Sequence, residues 1–414
     1  MRISTVTMFE QSVTSLNRQQ SDFTNVGQQI ASGRRVVNPS DDPQAASQAV
    51  GVSQSLSITE QYTDSRVSAR NSLSQEESVL NSASQAISSA KTLLVQAANG
   101  TLSDADRQSV ASELEGIYNT MLGQANATDG NGSYLFGGSR DDAPPFVQNA
   151  NGDVTYIGDS NNREQRIDSS RQMPVSDSGD AIFNSVPSGA GYVATAARDA
   201  AGDGNVTFSG PSRLDSSAPG YGENAYRIEF VSDSEYQVVT TAPDGTNSTG
   251  PVETYTSGES IEVGGGALSI TLEGTPDAAG GDSIEINPAD GSAGNQDVFA
   301  TLKSAIDVLK APVDGDPGRQ ADLENTIATS MRELDNSLDN VLTVRASVGA
   351  RLNELDVVDQ VSNNRMLSYE QTRSDLVDLD YVEAISEYSL RQVGLQAAQK
   401  SFADIQGMSL FDQI

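Results

Sequence analysis

The stretch LENTIATSMRELDNSLDNVLTVRASVGARLNEL, residues 323–355, decides the fold because it carries the clearest periodic pattern of the chain. Its periodic positions alternate spacings of four and three residues, and only one of them is polar. These positions are Ile327, Met331, Leu334, Leu338, Val341, Arg345, Val348, Leu352 and Leu355. Such a heptad pattern predicts a long helix with one narrow apolar stripe, and a helix of this kind needs a partner.

The natural partner lies far away in the sequence, in a helix predicted from residue 44 to about residue 99. A branched apolar residue recurs there every seven positions, at Leu73, Leu80, Ile87 and Leu94. Alanine follows three residues after each of the last three, and small side chains permit close helix approach. We therefore expect the two helices to form a coiled-coil core.

Both ends of the chain carry a weaker stripe with the same period. The predicted assembly residues are Phe9, Leu16, Phe23 and Ile30 near the start, and Tyr381, Ile385, Tyr388, Leu395 and Phe402 near the end. Polar or small residues interrupt both stripes, at Gln20 and Gly27 in the first and at Gln392 and Gln399 in the second. Lone helices of this kind are marginal. We expect the two ends to form the inner wall of an assembly.

The middle of the chain differs in composition from both flanks. Gly, Asp, Ser, Asn and Thr dominate there and lysine is absent, while runs such as YRIEFV, residues 226–231, alternate in polarity. Alternation predicts strands, and PDG at residues 243–245 predicts a turn. The predicted fold class is α+β, with long antiparallel coiled-coil helices from both termini and an inserted outer β domain.

Three domains follow from these patterns. Residues 1–38 with 375–414 are the terminal helices of the inner tube, residues 39–145 with 295–374 are the coiled-coil α core, and residues 146–294 are the outer, mainly-β domain. Gly33 is predicted to end the first helix. Asp42 and Pro43 are predicted to begin the next one, with Asp42 as its cap.

Composition excludes several classes of function. The 414 residues include 57 acidic and 25 basic side chains, a net charge of −32 at pH 7, which disfavours nucleic acid and anionic membranes as partners. Cysteine and histidine are both absent, so thiolate chemistry, the commonest general base and the commonest metal ligand are unavailable. No apolar run approaches the roughly 20 residues of a membrane span. We expect no enzyme activity, no cofactor and no metal site.

Two short motifs with several acidic or turn residues do not alter that expectation. Asp41 and Asp42 have no third ligand nearby, so capping explains them better than a metal does. DGNGS at residues 129–133 begins like a calcium loop, but Tyr134 stands where glycine is needed and Arg140 where glutamate is needed. We interpret this segment as a turn.

Several motifs together resemble those of bacterial flagellin-like axial proteins. They are ASGRRV at residues 31–36, PSDDP at 39–43 and GARLN at 349–353. Three others are similar to the hook-associated junction proteins of that superfamily rather than to filament flagellin. These are YLFGG at residues 134–138, DYVEAIS at 380–386 and SLFDQI at 409–414. The resemblance covers residues 1–145 and 295–414, and the β segment resembles a module found in several axial proteins.

The resemblance implies a structural protein that joins the hook, through the neighbouring hook-associated protein, to the flagellin filament. The implied partners are flagellin, the adjacent hook-associated protein, further copies of the chain in a helical ring, an export chaperone and the flagellar type III export apparatus. The implied location is secreted, at the hook–filament junction, after export as an unfolded chain guided by an uncleaved N-terminal signal.

Three alternatives remain at this point. Filament flagellin is the nearest. A secreted adhesin would explain the acidic β segment but not the paired terminal heptads. An acidic hydrolase would need a carboxylate pair in a cleft, and the β segment has many acidic residues without a distinguishing context.

Overall fold

A computed structural model describes residues 5–130, 132–197, 204–289, 296–313 and 315–411. Long helices occupy both ends of the chain and strands occupy its middle, so the predicted α+β class is confirmed. The helices are α1 (Thr5–Ser32), α2 (Pro43–Ala97), α3 (Asp104–Ala125), α4 (Val298–Lys310), α5 (Pro317–Val377) and α6 (Tyr381–Phe411). Among the described residues, none of these helices is long and apolar enough to cross a membrane.

The strands lie between α3 and α4 and are short. They are β1 (Phe146–Gln148), β2 (Val154–Tyr156), β3 (Glu164–Asp168), β4 (Arg171–Pro174), β5 (Tyr192–Ala197), β6 (Thr207–Arg213), β7 (Ala225–Ser232), β8 (Glu235–Thr241), β9 (Asn247–Thr249), β10 (Glu253–Thr254), β11 (Ser260–Val263), β12 (Leu268–Glu273) and β13 (Ser283–Pro288). A single π-helical turn, Asp180–Asn184, separates β4 from β5.

Two antiparallel sheets share one apolar core. The larger has the order β10-β8-β7-β13-β5 with β9 also paired to β8, and the smaller has the order β11-β12-β6. The alternation predicted for residues 226–231 appears in β7, where Tyr226, Ile228 and Phe230 are buried and their neighbours are more exposed. These side chains meet Leu268 and Ile270 of β12 in the shared core. The hairpins β1–β2 and β3–β4 stand outside these sheets.

The predicted helix boundaries follow from local chemistry. Gly33 has a φ of 70°, which favours glycine, and α1 ends at the residue before it. The Asp42 carboxylate accepts a hydrogen bond of 3.0 Å from the Ala45 amide, so the predicted cap of α2 is confirmed. This hydrogen bond satisfies a backbone amide that the start of α2 leaves without an intrahelical partner.

The chain divides into two compact units. The first comprises Met1–Arg66 and Asp356–Ile414, and the second is Val67–Leu355. The first unit therefore contains α1, α6, the beginning of α2 and the end of α5. The second contains the remainder of α2 and α5 with α3, α4 and all of the strands. The three domains inferred from the sequence stay a prediction.

Candidate assembly surfaces

The heptad stripes of α2 and α5 are buried in the second unit. Leu73, Leu80, Ile87 and Leu94 on α2 have no exposed surface, and neither do Leu334, Val341, Val348 and Leu355 on α5. Ile327 is buried as well, whereas Leu338 and Leu352 are half-buried. The alanines at 83, 90 and 97 are also buried, as close helix packing requires. The coiled-coil role of these residues stays a prediction that this burial supports.

Ion pairs connect α2 to α5 in one antiparallel register. Arg345, the polar member of the α5 stripe, places Nη2 2.6 Å from the Oε1 atom of Glu77. In the same unit, a further pair joins Lys91 to Asp335. Residue numbers on α5 fall as those on α2 rise, so the two helices run in opposite directions. Because these side chains remain partly exposed, the ion pairs should contribute little to stability. Their main effect is to fix the register of α2 against α5.

The polar side of α5 holds the smaller sheet through hydrogen bonds to its backbone. The Asn325 side chain accepts a 2.8 Å bond from the Phe208 amide and donates a 2.9 Å bond to the Val206 carbonyl. Arg332 donates to the Gly210 carbonyl nearby. Asn325 is 5% exposed, so its amide replaces a strand partner inside the protein. The heptad analysis missed these residues because they lie outside the apolar stripe.

The YLFGG motif anchors an aromatic cluster between helices and hairpins. Phe136 is fully buried and its ring lies edge-on to Phe183, with centroids 5.6 Å apart. Phe146 of β1 contacts Phe299 of α4 at a centroid distance of 5.3 Å, and Tyr118 of α3 contacts Phe299 edge-on at 5.9 Å. The motif thus belongs to the interior of the second unit.

Both glycines of the motif are needed for steric reasons. A Cβ on Gly137 would lie 2.3 Å from the Arg140 carbonyl oxygen. Gly138 has a φ of 68°, and a Cβ there would lie 2.2 Å from the Asp159 carboxylate. That carboxylate accepts hydrogen bonds from the hydroxyl and amide of Ser139, which lower its pKa to about 2. The turn is therefore built around one ionised side chain.

The two terminal stripes meet within the first unit, where α1 and α6 are antiparallel. The rings of Phe23 and Tyr388 have centroids 4.6 Å apart, and Arg391 bonds Asp22 at 3.1 Å. A Cβ on Gly27 would touch the Tyr388 ring at 3.7 Å. Gly27, which weakens the stripe in the sequence, thus lies beside the Tyr388 ring, at a distance where an added Cβ would make an ordinary van der Waals contact.

Other members of the terminal stripes are less enclosed. Leu16, Ile30, Leu395 and Phe402 are half-buried. Phe9 belongs to α1, but its side chain lies outside the described part of the structure, as do the side chains of residues 409–414. The assembly role of these residues stays a prediction.

A second apolar face of α6 points away from α1. We call it the exposed α6 face, and its members are Val382 (82% exposed), Ile385 (55%), Leu390 (72%) and Val393 (64%). Val382 and Val393 are eleven residues apart, three turns of helix, so they share one side. Tyr381 at the start of the helix is 51% exposed. Of the exposed α6 face, the predicted stripe contained only Ile385, four residues after Tyr381, and the other three residues lie outside that stripe.

The ASGRRV motif joins the turn after α1 to the turn after α5. The Arg35 amide donates to the Val377 carbonyl at 2.8 Å, and its guanidinium donates to the Leu376 carbonyl at 2.7 Å. The same guanidinium lies 3.3 Å from Asp42. The Ala45 amide and then the Arg35 guanidinium hold the pKa of Asp42 below its ordinary value. Two distant turns are thus fixed to each other within the first unit.

The described residues contain no group of three or more acidic side chains placed to hold a metal ion. The features that the described residues do provide are buried stripes, backbone-directed hydrogen bonds and the exposed α6 face.

Comparisons with known proteins place these features in a family. Residues 3–141 match the family model of the bacterial flagellin N-terminal helical region. The chain is 34% identical over 414 residues to flagellar hook-associated protein 3 of Escherichia coli, with 99% of each protein covered.

Solved structures resemble the chain over most of its length. The crystal structure of FlgL from Xanthomonas campestris is 28% identical with a TM-score of 0.68, covering 78% of this chain and 99% of that one. The flagellar junction protein FlgL from Legionella pneumophila is 27% identical with a TM-score of 0.65, covering 80% of this chain and all of that one.

Proposed function

This chain belongs to the family of flagellar hook-associated protein 3, and we propose from that premise that it is a structural axial protein of the bacterial flagellum. It joins the hook, through the neighbouring hook-associated protein, to the flagellin filament. The observation that carries this function is the 34% identity over the full length of both proteins. That match favours the junction function over filament flagellin, a secreted adhesin or an acidic hydrolase.

The proposed function is to connect other proteins through fitted surfaces, and it involves no catalysed reaction and no cofactor. Its proposed partners are flagellin on one side, the adjacent hook-associated protein on the other, and further copies of itself in a helical ring. An export chaperone and the flagellar type III export apparatus handle it before assembly. Its proposed location is secreted, at the hook–filament junction of the flagellum.

The two faces of α6 support different contacts in the inner tube, one within the chain and one with neighbouring subunits. One face packs on α1 of the same chain, with Tyr388 against Phe23. The exposed α6 face then contacts neighbouring subunits, where burying each Val, Leu or Ile contributes roughly 1.5–3 kcal/mol. In this proposal, residues 1–38 with 375–414 line the tube, residues 39–145 with 295–374 surround them, and residues 146–294 lie outside.

The test compares two pairs of substitutions in cells that lack their own copy of this chain. Val382→Ser with Val393→Ser removes apolar surface from the exposed α6 face. Val231→Ser with Val252→Ser removes exposed valines from the β segment, where they are 48% and 51% exposed. Filaments are counted by electron microscopy, and flagellin is measured in the medium.

We expect the α6 variant to be exported while flagellin is released unattached. The β-segment variant should carry filaments as the unsubstituted chain does. Normal filaments on cells with the α6 variant would show that the exposed α6 face makes no required contact. Failure of the unsubstituted chain to restore filaments would contradict the junction function itself.

A further inference from the structure

A glutamate side chain is buried where α2 meets the segment that follows β4. Glu76 is 1% exposed, and its Oε1 atom accepts a 3.0 Å hydrogen bond from the Asp177 amide. The Oε2 atom is also buried and has no hydrogen-bond partner. An ionised carboxylate with one unpaired oxygen in such a place carries a large desolvation penalty. The geometry suits a protonated side chain.

The charged groups that face Glu76 offset only part of that penalty, because the Arg351 charge favours the ionised side chain less than burial and Asp177 oppose it. Asp177 faces it from the segment after β4, and Arg351 faces it from α5. The guanidinium of Arg351 is engaged elsewhere, since it bonds the Asp177 carboxylate and donates to the Pro174 carbonyl at 3.2 Å. Burial and then the negative charge of Asp177 raise the pKa of Glu76 to about 8.

We propose that Glu76, Asp177 and Arg351, the Glu76 cluster, form a proton-controlled attachment that holds the segment after β4 against α2 and α5. With Glu76 protonated, a neutral carboxyl accepts the Asp177 amide while Asp177 pairs with Arg351 alone. With Glu76 ionised, two carboxylates compete for one guanidinium in a buried place, and the segment is released from α2. This property is independent of the junction function.

The attachment extends along the β3–β4 hairpin. Arg171 of β4 pairs with Glu354 of α5, only three residues from Arg351. The Val175 amide donates to the Arg163 carbonyl at 2.8 Å and ties the segment to the residue before β3. When Glu76 ionises, the β3–β4 hairpin should therefore be the first element to lose its contacts. The apolar stripe of α5 is not part of this attachment.

The sign of the pH effect follows from the raised pKa. The ordinary value for Glu76 is 4.5 and the folded value is about 8, so the folded chain holds a proton that the unfolded chain has lost between these values. The stabilising contribution of the proton on Glu76 is complete below pH 4.5 and is lost as the pH rises to about 8. Across that interval the ratio of folded to unfolded chain falls by up to about tenfold per pH unit.

The direct test measures Glu76 in the unsubstituted full-length chain by carboxyl NMR titration. We expect its midpoint near pH 8, and a midpoint below pH 6 would overturn the proposal. A second measurement uses Glu76→Gln, which keeps the shape of the protonated side chain and cannot ionise. Urea unfolding from pH 5 to pH 9 is recorded for both proteins, with Glu113→Gln on the surface of α3 as the matched control.

We expect the unsubstituted chain to lose stability relative to Glu76→Gln as the pH rises to 8, with a constant difference above that. Glu113→Gln should follow the unsubstituted chain at every pH. Exchange of the Asp177 amide, compared between chains at the same pH, should rise at alkaline pH only when Glu76 is present. Parallel stability curves for the unsubstituted chain and Glu76→Gln would contradict the proposal.

Discussion

The α2–α5 pair and the α1–α6 pair carry the same seven-residue period, yet they differ in how far the period is buried. In the first pair, residues such as Leu80 and Val341 are completely buried. In the second, Leu16 and Leu395 are half-buried, and a separate apolar face of α6 remains exposed. A stripe that is mostly buried stabilises the chain that carries it, whereas a stripe that is only half-buried keeps apolar surface available for further contacts.

Small residues have different surroundings in the two pairs. Ala83 and Ala90 are fully buried and let α2 approach α5 along a continuous seam. Gly27 lies beside one ring, that of Tyr388, at a single level of the α1–α6 pair, where an added Cβ would still fit at 3.7 Å. The period alone therefore predicts that a helix needs a partner, but not how many partners it has.

The largest effect should come from shortening a buried stripe residue. Leu80→Ala removes packing from a fully buried site and should lower the free energy of unfolding by about 2–5 kcal/mol. Val95→Ala on the same helix, at a site 62% exposed, should change it by less than about 0.5 kcal/mol. Urea unfolding of both variants measures the difference. Equal effects would mean that burial does not distinguish the stripe from the surface.

The next effect concerns the polar side of α5. Asn325→Ala leaves the Phe208 amide and the Val206 carbonyl without their partner, at about 1–3 kcal/mol for each buried group. Amide exchange should accelerate in β6 more than in β8. The exposed Asn119→Ala on α3 is the control and should leave both strands unchanged. Uniform acceleration across the two sheets would show that Asn325 supports the whole unit rather than β6.

Sequence patterns predicted the features that depend on neighbouring residues. The stripe of α5, the glycine after α1 and the Asp42 cap are set within a few positions along the chain. The bond from Asn325 to β6 joins residues more than a hundred positions apart, and no local pattern marks that asparagine. Gly138 likewise needs its conformation because Asp159 occupies the space beside it. Val382, Leu390 and Val393 of the exposed α6 face were missed because they do not recur every seven positions.

A smaller effect is expected where the terminal stripes meet. Phe23→Leu removes the ring contact with Tyr388, which contributes about 0.5–1.5 kcal/mol beyond the area it buries. The loss should appear as faster amide exchange in α1 and α6, with α2 unaffected beyond residue 67. Val382→Leu on the exposed α6 face is the control. Unchanged exchange in α1 after Phe23→Leu would show that the ring pair does not hold the two helices together.

The smallest effect should come from the partly exposed ion pairs, of which each helix pair has at least one. Lys91–Asp335 joins α2 to α5, and Arg391–Asp22 joins α1 to α6. The four side chains are between 27% and 57% exposed, so solvent screens both pairs. Double-mutant cycles with alanine should give a coupling energy of about 0.2–1 kcal/mol for each, decreasing with added salt.

Similar couplings would leave apolar burial as the difference between the two helix pairs. Lys91 would then fix the register of α2 on α5 without adding much stability, as partly exposed charges do. A coupling above about 2 kcal/mol for Lys91–Asp335 alone would contradict this account. It would mean that the α2–α5 pair is held by charge as well as by its stripe. Added salt should then lower the stability of the α2–α5 pair. The difference between this pair and α1–α6 would be electrostatic in origin.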